Sequence, residues 1–580
     1  MANFTVYIND KACFAEENET ILTIAKRENI YIPALCFHCD LIAHESCRLC
    51  LVEVEGDKNL RTSCSLIAQP DMKVYTDTPL LKNVLKTNFE LLFAQHKGKC
   101  ETCKRKTSCK LYDLAQRYRK EMQTEETYSD RKKGCSQYQF GPSILLDQSK
   151  CINCENCLEV CAKQTKGGFL STEEGEYNFE ICPSPEETQD CLYCGQCIIH
   201  CPVGALSEVE DYQKVQDLLI HSKKKVVFQF APAVRTSLGE EFGLPLGTNV
   251  TDKIFSALKK INAYKVFDTS FAADVTVIEE VRELIEKVKN NDTTVMFSSC
   301  CPAWVKYVET YEPSLIPYLT TVRSPQIILG GLIKTYWAQK EKVDQQDVIV
   351  VSVMPCTAKK FEILREELFI NGVQPVDHVL TVREFAKLLK AFEVDFAQIE
   401  ADETGKELLA SPSGAGEIFG SSGGVLEAAL RTAYHEITGI ELATLEFKPL
   451  HQFNHTKYAE VSIGDMLLKV VAVNGMENAK KILDELKQDP EKYTYVEVMA
   501  CRGGCIGGGG QPIPVNDTIR QARANGLYQS DGGKSVRASH RNKGVIELYE
   551  QFLHDDEMRH TVCHTHFKRR EKGLVKKIES

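Results

Sequence analysis

The feature that most constrains this chain is its cysteine content. It has 25 cysteines among 580 residues, and most of them stand in groups with Cys-x2-Cys spacing. Disulfide frameworks are typical of short secreted chains, whereas this chain is long and opens on MANFTVYIND, which lacks the pattern of a secretory signal. We therefore interpret the grouped thiols as metal ligands and expect a cytoplasmic protein.

The composition argues against several other classes of protein. Hydrophobic residues make up 43% and charged residues 26%, which is typical of globular chains, and the length allows roughly three to five domains. The net charge of −11 argues against nucleic acid as a partner. No apolar run approaches the roughly 18 residues that a membrane span needs, so we expect no membrane partner.

Residues 1–80 are expected to form an iron–sulfur domain. A strand-like FTVYI, a second strand and a helical stretch precede four cysteines, namely Cys36, Cys47, Cys50 and Cys64. Three ligands in one loop and a fourth further along are typical of a plant-type, β-grasp 2Fe–2S ferredoxin domain. A zinc site is the alternative. Cys39 lies in the same loop and competes as a ligand.

Residues 81–126 are expected to form a smaller cluster module. Its potential ligands, which suit zinc or a 4Fe–4S cluster, are His96, Cys100, Cys103 and Cys109. A solvated side chain is the alternative for the histidine. The basic residues around the module are Lys97, Lys99, Lys104, Arg105, Lys106, Lys110, Arg117, Arg119 and Lys120. They indicate either a solvated surface or a positive patch that docks an acidic electron carrier such as ferredoxin.

Residues 127–211 contain an internal repeat. The run Cys-x2-Cys-x2-Cys-x3-Cys begins once at Cys151 and again at Cys191. In two-cluster bacterial ferredoxins the fourth cysteine of each run binds the other cluster. The pattern therefore predicts one 4Fe–4S cluster on Cys151, Cys154, Cys157 and Cys201, and another on Cys161, Cys191, Cys194 and Cys197.

Residues 212–580 alternate between short apolar runs and amphipathic helices. The runs KVVFQF, YKVFDT, TTVMFSS, QDVIVVSVMP and YTYVEVMA predict an α/β domain with largely parallel strands, whose carboxyl ends gather ligands. Four thiols that follow three of these strands suffice for one more 4Fe–4S cluster: Cys301, Cys356, Cys501 and Cys505. Because adjacent residues leaving a strand point to opposite sides, Cys300 is not expected to bind the same iron.

Three segments resemble the signature segments of iron–iron (FeFe) hydrogenases. They are SSCCPAW (298–304), MPCTAKKFE (354–362) and EVMACRGGCIGGGGQP (497–512). The order of the N-terminal modules is similar to that of the large, monomeric, clostridial-type members. The resemblance covers nearly the whole chain and implies a multidomain α+β protein in which residues 212–580 form the catalytic domain.

The resemblance implies an H-cluster that reversibly reduces protons to H2. In that family a 4Fe–4S cubane is joined through a cysteine to a two-iron unit carrying CO, CN⁻ and azadithiolate. Carried over, the cubane ligands are Cys301, Cys356, Cys501 and Cys505, with Cys505 as the bridge. One 2Fe–2S cluster and three accessory 4Fe–4S clusters would complete the set. The resemblance also favours Cys47 over Cys39 in the first domain.

The resemblance further implies a proton path. Cys300 would exchange protons with the amine of the two-iron unit, and Glu280, Thr320 and Glu283 would lead to solvent. Thr320 replaces an expected serine, and the neighbouring Thr321 leaves the alignment open by one residue. Lys287 stands where an arginine is expected. Without the resemblance, a surface ion pair between Glu283 and Lys287 would be the interpretation.

The cavity around the two-iron unit is also implied by the resemblance. Lys359 would bind one cyanide. The remaining wall would be formed by Pro232, Ala233, Pro325, Gln326, Met354, Phe419 and Met499. Ala233 has no hydroxyl where some relatives have serine, and the two methionines are equally consistent with core packing.

The expected partners are ferredoxin or a similar low-potential carrier, H2 and protons, and the maturation proteins of a hydrogenase, and the chain is expected to be a monomer. Two alternatives remain. The first 210 residues also resemble the large subunit of NADH-quinone oxidoreductases, which would make this an electron-transfer subunit. The second alternative is an iron–sulfur assembly protein without the two-iron unit, although the retention of Cys300 and Lys359 argues against it.

Five cysteines have no predicted cluster and are interpreted as ordinary thiols: Cys13, Cys39, Cys135, Cys182 and Cys563. The tail HTVCHTHFKRR contains His560, Cys563, His564 and His566. These side chains would suit a metal ion, but a solvated tail is the favoured interpretation.

Overall fold

We describe a computed structural model of the chain, over residues 3–96, 100, 103–122, 136–174, 179–401, 409, 411–442, 454–463 and 466–578. Cys135 and the predicted patch residues Lys97 and Lys99 lie outside these ranges, as do the side chains of Arg119 and Lys120. Among the described residues, no helix has the length and apolar character needed to cross a bilayer.

The N-terminal domain is a five-stranded sheet in the order β2-β1-β5-β3-β4. Its strands are β1 (Asn3–Ile8), β2 (Lys11–Glu16), β3 (Leu51–Val54), β4 (Arg61–Thr62) and β5 (Lys73–Tyr75). The predicted strand FTVYI lies in β1, which pairs antiparallel with β2. A helix, Ile21–Arg27, packs its apolar side on the sheet, and Thr20 caps it by accepting a hydrogen bond from the backbone N–H of Thr23.

The next module is mainly helical. It comprises the helices Pro79–Gln95 and Lys110–Met122 and the 3-10 turn Lys106–Ser108. Thr78 caps the first helix, and Pro79 occupies its first position, where a missing N–H costs nothing.

The repeat region contains a four-stranded sheet in the order β10-β7-β6-β19 and the hairpin β8-β9. These strands are β6 (Gln137–Phe140), β7 (Ile144–Asp147), β8 (Leu170–Glu174), β9 (Phe179–Pro183), β10 (Leu206–Glu208) and β19 (Val575–Ile578). The helices are Asn156–Gln164 and Gln196–His200, with a 3-10 turn at Gln148–Lys150. The chain's last strand thus returns to this sheet, although it lies in the range predicted as catalytic.

The catalytic region contains two further four-stranded sheets, in the orders β12-β11-β14-β15 and β13-β18-β17-β16. The strands are β11 (Lys225–Phe230), β12 (Lys265–Asp268), β13 (Met296–Phe297), β14 (Val348–Met354), β15 (His378–Thr381), β16 (Thr456–Ile463), β17 (Met466–Asn474) and β18 (Tyr495–Met499). The first sheet is wholly parallel, and in the second only β16 runs antiparallel. The α/β prediction is confirmed, since the continuous apolar runs are strands covered on both faces.

Helices cover both sheets. They are Tyr212–His221, Thr251–Lys260, Thr269–Lys289, Pro302–Tyr311, Pro325–Leu332, Ala338–Lys340, Lys359–Glu362, Val382–Ala391, Gly414–Glu417, Gly424–Thr438, Met476–Gln488, Asp517–Gly532, Lys543–Leu548 and Asp556–Cys563. Short 3-10 turns occur at Pro232–Val234, Leu238–Phe242, Pro313–Tyr318, Gln345–Asp347, Glu366–Leu368, Ile418–Gly420, Cys505–Gly507 and Ser539–Arg541, and π-helical turns at Ile333–Trp337 and Tyr549–Leu553. One hydrophobic cluster joins the repeat region to the second catalytic sheet, because Phe169 and Leu146 share it with Trp304 and Val496.

Candidate active site

A cavity of about 90 Å³ lies where the two catalytic sheets present the carboxyl ends of their strands. Residues that directly follow β11, β13, β14 and β18 form much of its wall, including Ala231, Cys300, Pro355 and Ala500. Ligands of α/β folds gather at this edge, because the loops there diverge and leave a crevice.

Five thiols line the cavity: Cys300, Cys301, Cys356, Cys501 and Cys505. Burial raises the pKa of Cys356 to about 12, and the neighbouring Cys301 adds to this. Burial likewise raises the pKa of Cys501 well above its usual value, with contributions from Cys356, Cys301 and Cys505. Cys300 packs against a different hydrophobic cluster from Cys301, so the two adjacent thiols face different surroundings.

The turn between Cys501 and Cys505 depends on a glycine. Gly504 has a φ of +95°, and a Cβ at this position would lie 2.6 Å from Met499 Sδ and 2.7 Å from Ser422 N. Only glycine satisfies both the backbone conformation and this close approach.

All eight residues predicted to surround the two-iron unit line this one cavity. They are Pro232, Ala233, Pro325, Gln326, Met354, Lys359, Phe419 and Met499. The lining is largely apolar, and the buried Oε1 of Gln326 has no hydrogen-bond partner among the described residues. A cavity with four clustered thiols and an unsatisfied polar atom suits an inorganic cluster with additional polar ligands.

Lys359 is buried and held in place by the carboxylate of Glu362, which is not among the predicted site residues. Its Nζ donates to Glu362 Oε2 at 2.8 Å and to the backbone oxygen of Cys300 at 3.3 Å. Glu362 Oε2 also accepts from Ser324 Oγ at 2.9 Å and from Gln326 Nε2 at 3.0 Å. Burial lowers the pKa of Lys359, but Glu362 outweighs it and the pKa ends above its usual value, so this ammonium stays charged.

Glu280 lies on the helix Thr269–Lys289, where it is almost fully buried. Tyr495 Oη donates to its Oε2 at 2.9 Å. Burial raises the pKa of Glu280 to about 8, so the carboxyl is mostly protonated at neutral pH. Thr320 is also fully buried and shares a 2.8 Å hydrogen bond with Ser299, next to Cys300 in the chain.

Glu283 lies one turn further along the same helix and is 23% exposed. Its partner is Thr321, whose backbone N–H and hydroxyl both donate to it. The two threonines are therefore divided, with Thr320 on the buried side near Glu280 and Thr321 at the surface. The Glu283–Lys287 ion pair, which was the alternative to the proton path, is absent among the described contacts, because Lys287 pairs with Asp292 at 2.6 Å.

Four thiols of the N-terminal domain, Cys36, Cys47, Cys50 and Cys64, lie together. Hydrogen bonds join Cys36 to Cys47 and Cys50 to Cys64, and the pKa of Cys64 is raised by Cys50, by burial and by Cys36 and Cys47. Cys39 is exposed and lies beside Asp40 instead, with a sulfur–oxygen distance of 3.8 Å.

His96 is buried, and its Nδ1 lies 2.9 Å from the backbone oxygen of Lys150. Cys109 is buried, and burial together with Cys103 raises its pKa to about 11. Arg105 does not belong to a surface patch, contrary to the sequence-based expectation. It is 4% exposed, and its guanidinium donates to backbone oxygens including that of Leu206 at 3.2 Å.

The repeat region touches the cavity wall directly. Thr357, next to Cys356, donates to the backbone oxygen of Tyr193 at 2.7 Å, and Gln196 Nε2 donates to that of Gly507 at 3.1 Å. Gly195 has a φ of +68°, and a Cβ there would lie 2.4 Å from Thr357 Oγ1. The Cys191–Cys201 run is therefore the repeat half nearer to the cavity.

Comparison with known families finds matches for most of these regions. Residues 224–509 match the C-terminal domain of the iron-only hydrogenase large subunit, and residues 517–570 match the iron hydrogenase small subunit. Residues 1–79 match a 2Fe–2S iron–sulfur cluster binding domain and residues 187–207 a 4Fe–4S binding domain. Residues 86–123 match the iron–sulfur binding region of NADH-ubiquinone oxidoreductase-G.

Two relatives match along nearly their whole length. One is the NADP-reducing hydrogenase subunit HndD of Solidesulfovibrio fructosivorans, 38% identical over 99% of this chain and 100% of that protein. The other is iron hydrogenase 1 of Clostridium pasteurianum, 36% identical over 95% of this chain and 96% of that protein. 

This chain belongs to the iron-only (FeFe) hydrogenase family. A solved structure of apo FeFe-hydrogenase HydA1 from Chlamydomonas reinhardtii superimposes with a TM-score of 0.56 and 32% identity, over 62% of this chain and 99% of that one. As an FeFe hydrogenase, the chain acts on H2 and protons and carries iron–sulfur clusters in its 2Fe–2S and 4Fe–4S domains. The small-subunit-like segment is part of the same polypeptide.

Several residues of the hydrogenase site escaped sequence reasoning. They are Ser299, Glu362 and Tyr495, each of which contacts a predicted residue or its neighbour. His564, which the sequence suggested only as a metal ligand or a solvated side chain, contacts Thr321. Glu362 alone had a usable signal, because it follows Lys359 by three residues on one helix. The others are far apart in sequence from their partners.

The raised pKa of Glu280 predicts an infrared signature. The protein should show a protonated carboxyl band at pH 6–7 that disappears as the pH rises through about 8, because burial disfavours the carboxylate. The buried Glu497, whose pKa burial raises to about 7, contributes a second component, so the assignment uses difference spectra against wild type. Glu280→Gln should lose the component that titrates near pH 8, whereas Glu283→Gln should lose none. A Glu280→Gln spectrum identical to that of wild type would contradict this assignment.

Proposed function

We propose that this chain is a ferredoxin-linked hydrogenase that reversibly reduces protons to H2 at an H-cluster. The observation that carries the proposal is the convergence of five thiols and the charged Lys359 on one largely apolar cavity. Cys301, Cys356, Cys501 and Cys505 would hold the 4Fe–4S cubane, and Cys505 would bridge to the two-iron unit. When bound, that unit supplies the open iron site at which protons and electrons combine.

The protein would hold and orient the cluster and exclude water from it. Lys359, fixed by Glu362, would offer its ammonium to a cyanide ligand as a charge-assisted hydrogen-bond donor. The backbone around Ala233 would supply further hydrogen-bond donors, whereas Gln326 Oε1 can only accept a hydrogen bond. Pro232, Pro325, Met354, Phe419 and Met499 form an apolar enclosure that strengthens such contacts by excluding solvent.

We infer that protons move between the cavity and solvent through Cys300. Burial raises the pKa of the Cys300 thiol well above its usual value, and the nearby Glu280 adds to this. Glu280 and Glu283 lie one turn apart on one helix. Thr320 would assist on the buried side, where its hydroxyl is fixed by Ser299. Glu280, protonated at neutral pH, would pass a proton inward and be reprotonated from Glu283.

Electrons would reach the cavity through the accessory clusters. We propose one 2Fe–2S cluster on Cys36, Cys47, Cys50 and Cys64, and 4Fe–4S clusters on the His96/Cys100/Cys103/Cys109 set and on the two crossed sets of the repeat region. Asn156 beside Cys157 donates to the backbone oxygen of Cys36 at 2.9 Å, which links the first domain to the first repeat cluster. The second repeat cluster then lies against the cavity wall through Tyr193 and Thr357.

The electron partner is proposed to be ferredoxin or a similar carrier, and the name of the Solidesulfovibrio relative indicates companion subunits as the alternative. Lys104 and Arg117 are exposed basic residues of the second module, and Lys104 pairs with Glu210 at 2.7 Å. We further propose that the chain is a cytoplasmic monomer, since its many ligand thiols must stay reduced before the clusters are inserted. Dedicated maturation proteins would supply the two-iron unit.

Replacing Cys300 with alanine tests the proposed reaction. Matured wild-type protein should evolve H2 from reduced methyl viologen, and Cys300→Ala should lower the rate by roughly 10²–10⁴-fold because the first proton relay is lost. Its iron content should be unchanged. Cys182→Ala, which removes a buried thiol outside the predicted clusters, should retain full activity. An active Cys300→Ala variant would contradict the relay.

Replacing His96 with cysteine tests the second module. If His96 binds a 4Fe–4S cluster, His96→Cys should keep four irons in the module and lower the cluster's reduction potential, since a thiolate donates more charge than imidazole. Redox titration followed by electron paramagnetic resonance measures the shift. A module that contains zinc and gives no such signal would overturn the assignment.

A further inference from the structure

His564 occupies the outer end of the proposed proton path. It follows the helix Asp556–Cys563 and inserts between two carboxylates of the helix Thr269–Lys289. Its Nε2 lies 2.9 Å from Glu279 Oε2, and its Nδ1 lies 2.8 Å from Thr321 Oγ1 and 3.4 Å from Glu283 Oε1. These contacts fit neither of the two interpretations of this segment from the sequence, a metal site or a solvated tail.

The hydrogen bonds indicate a doubly protonated ring. The single hydroxyl proton of Thr321 is donated to Glu283, so Thr321 Oγ1 can only accept from His564 Nδ1. Glu279 is a carboxylate and can only accept from Nε2. Both ring nitrogens must therefore donate, which is the imidazolium form.

Electrostatics support the same state. Burial lowers the pKa of His564, but the hydrogen bonds and charges of Glu279 and Glu283 outweigh it and raise the pKa to about 9. Other charged or titratable groups are packed nearby. Arg282 and Arg559 pair with Glu279, and Tyr549 donates to Glu279. The ring of His560 lies 4.8 Å from that of His564, the Cys563 thiol is buried next to it, and Arg323 donates to the backbone oxygen of His564.

The side chain is placed to exchange protons with water. It is 11% exposed, and Glu283 beside it is 23% exposed, whereas Glu280 is almost fully buried. Lys287 does not compete for Glu283, because it is turned toward Asp292. Among the described residues, His564 is therefore the cation that contacts Glu283.

We propose that His564 is the outermost proton donor of this hydrogenase, loading Glu283 through the Thr321 hydroxyl, an inference that rests on the proposed function. The Nδ1 proton passes to Thr321 Oγ1 while the Thr321 hydroxyl proton passes to Glu283 Oε1. The ring is left neutral and takes a new proton from water at the surface. No electron moves in this step, and H2 oxidation runs it in reverse.

The test compares His564→Gln with His566→Gln, an exposed histidine two residues away that serves as the matched control. His564→Gln should slow H2 evolution by roughly tenfold, and added imidazole should restore much of the rate, because a diffusible base replaces the lost donor. His566→Gln should match wild type with and without imidazole.

A second readout does not depend on the loaded H-cluster. A histidine whose folded pKa is raised stabilises the fold fully below its unfolded value of 6.5, and this stabilisation is lost as the pH rises to about 9. The comparison uses protein that carries cubanes but no two-iron unit. The difference in Tm between wild type and His564→Gln should be largest near pH 6, with wild type the more stable. The pH-dependent part of this difference should vanish near pH 9.

Glu279→Gln provides an independent variant if His564→Gln folds poorly. Loss of the Glu279 charge should lower the pKa of His564 and move the alkaline limb of the H2-evolution profile to lower pH. The proposal is overturned if wild type is active while His564→Gln keeps its rate, or if imidazole rescues nothing. A matured wild type without hydrogenase activity would overturn the proposed function, whereas the Tm comparison would still report the His564 ion pair.

Discussion

Most of the predicted ligand cysteines are buried, although Cys100 and Cys103 are only half-buried. Burial raises the pKa of thiols such as Cys154, Cys197 and Cys501 well above the usual value because a thiolate is poorly solvated inside protein. Metal ligation requires the thiolate, so these sites are compatible with the charged form only when iron compensates it. Cluster insertion is thereby coupled to folding. This coupling is consistent with the modular order of the chain, because each module is a small fold that surrounds its own group of thiols.

The close packing between the repeat region and the catalytic sheets also constrains the sequence. Gly195 approaches Thr357 so closely that no larger residue fits, and Gln196 reaches the glycine-rich segment at Gly507. A shared hydrophobic cluster continues across this junction, and the last strand of the chain, β19, pairs with β6 of the repeat region. The two parts are therefore packed together, which would keep the proposed second repeat cluster in fixed contact with the cavity.

Much of this architecture could be predicted from local pattern. KVVFQF is β11 in full, and the doubled cysteine run sets the repeat region apart, because spacing and periodicity are local properties. Contacts between distant residues could not be predicted. Tyr495 and Glu280 are 215 residues apart in the sequence, and β19 pairs with β6 from the other end of the chain. No sequence pattern indicates either contact. Cys39 and Cys47 were equally plausible by spacing, and only the loop's path separates them. His564 shows the same limit, since its role depends on a helix nearly three hundred residues earlier in the chain.

The central claim is that the thiol-lined cavity holds an H-cluster. Infrared absorption of the anaerobically matured protein tests this most directly, because CO and CN⁻ bound to iron absorb in a window free of protein bands. The account predicts such bands in wild type and their absence in protein that has cubanes alone. Full cubane loading after competent maturation with no CO or CN⁻ bands would contradict it, and the chain would then be an electron-transfer or assembly protein.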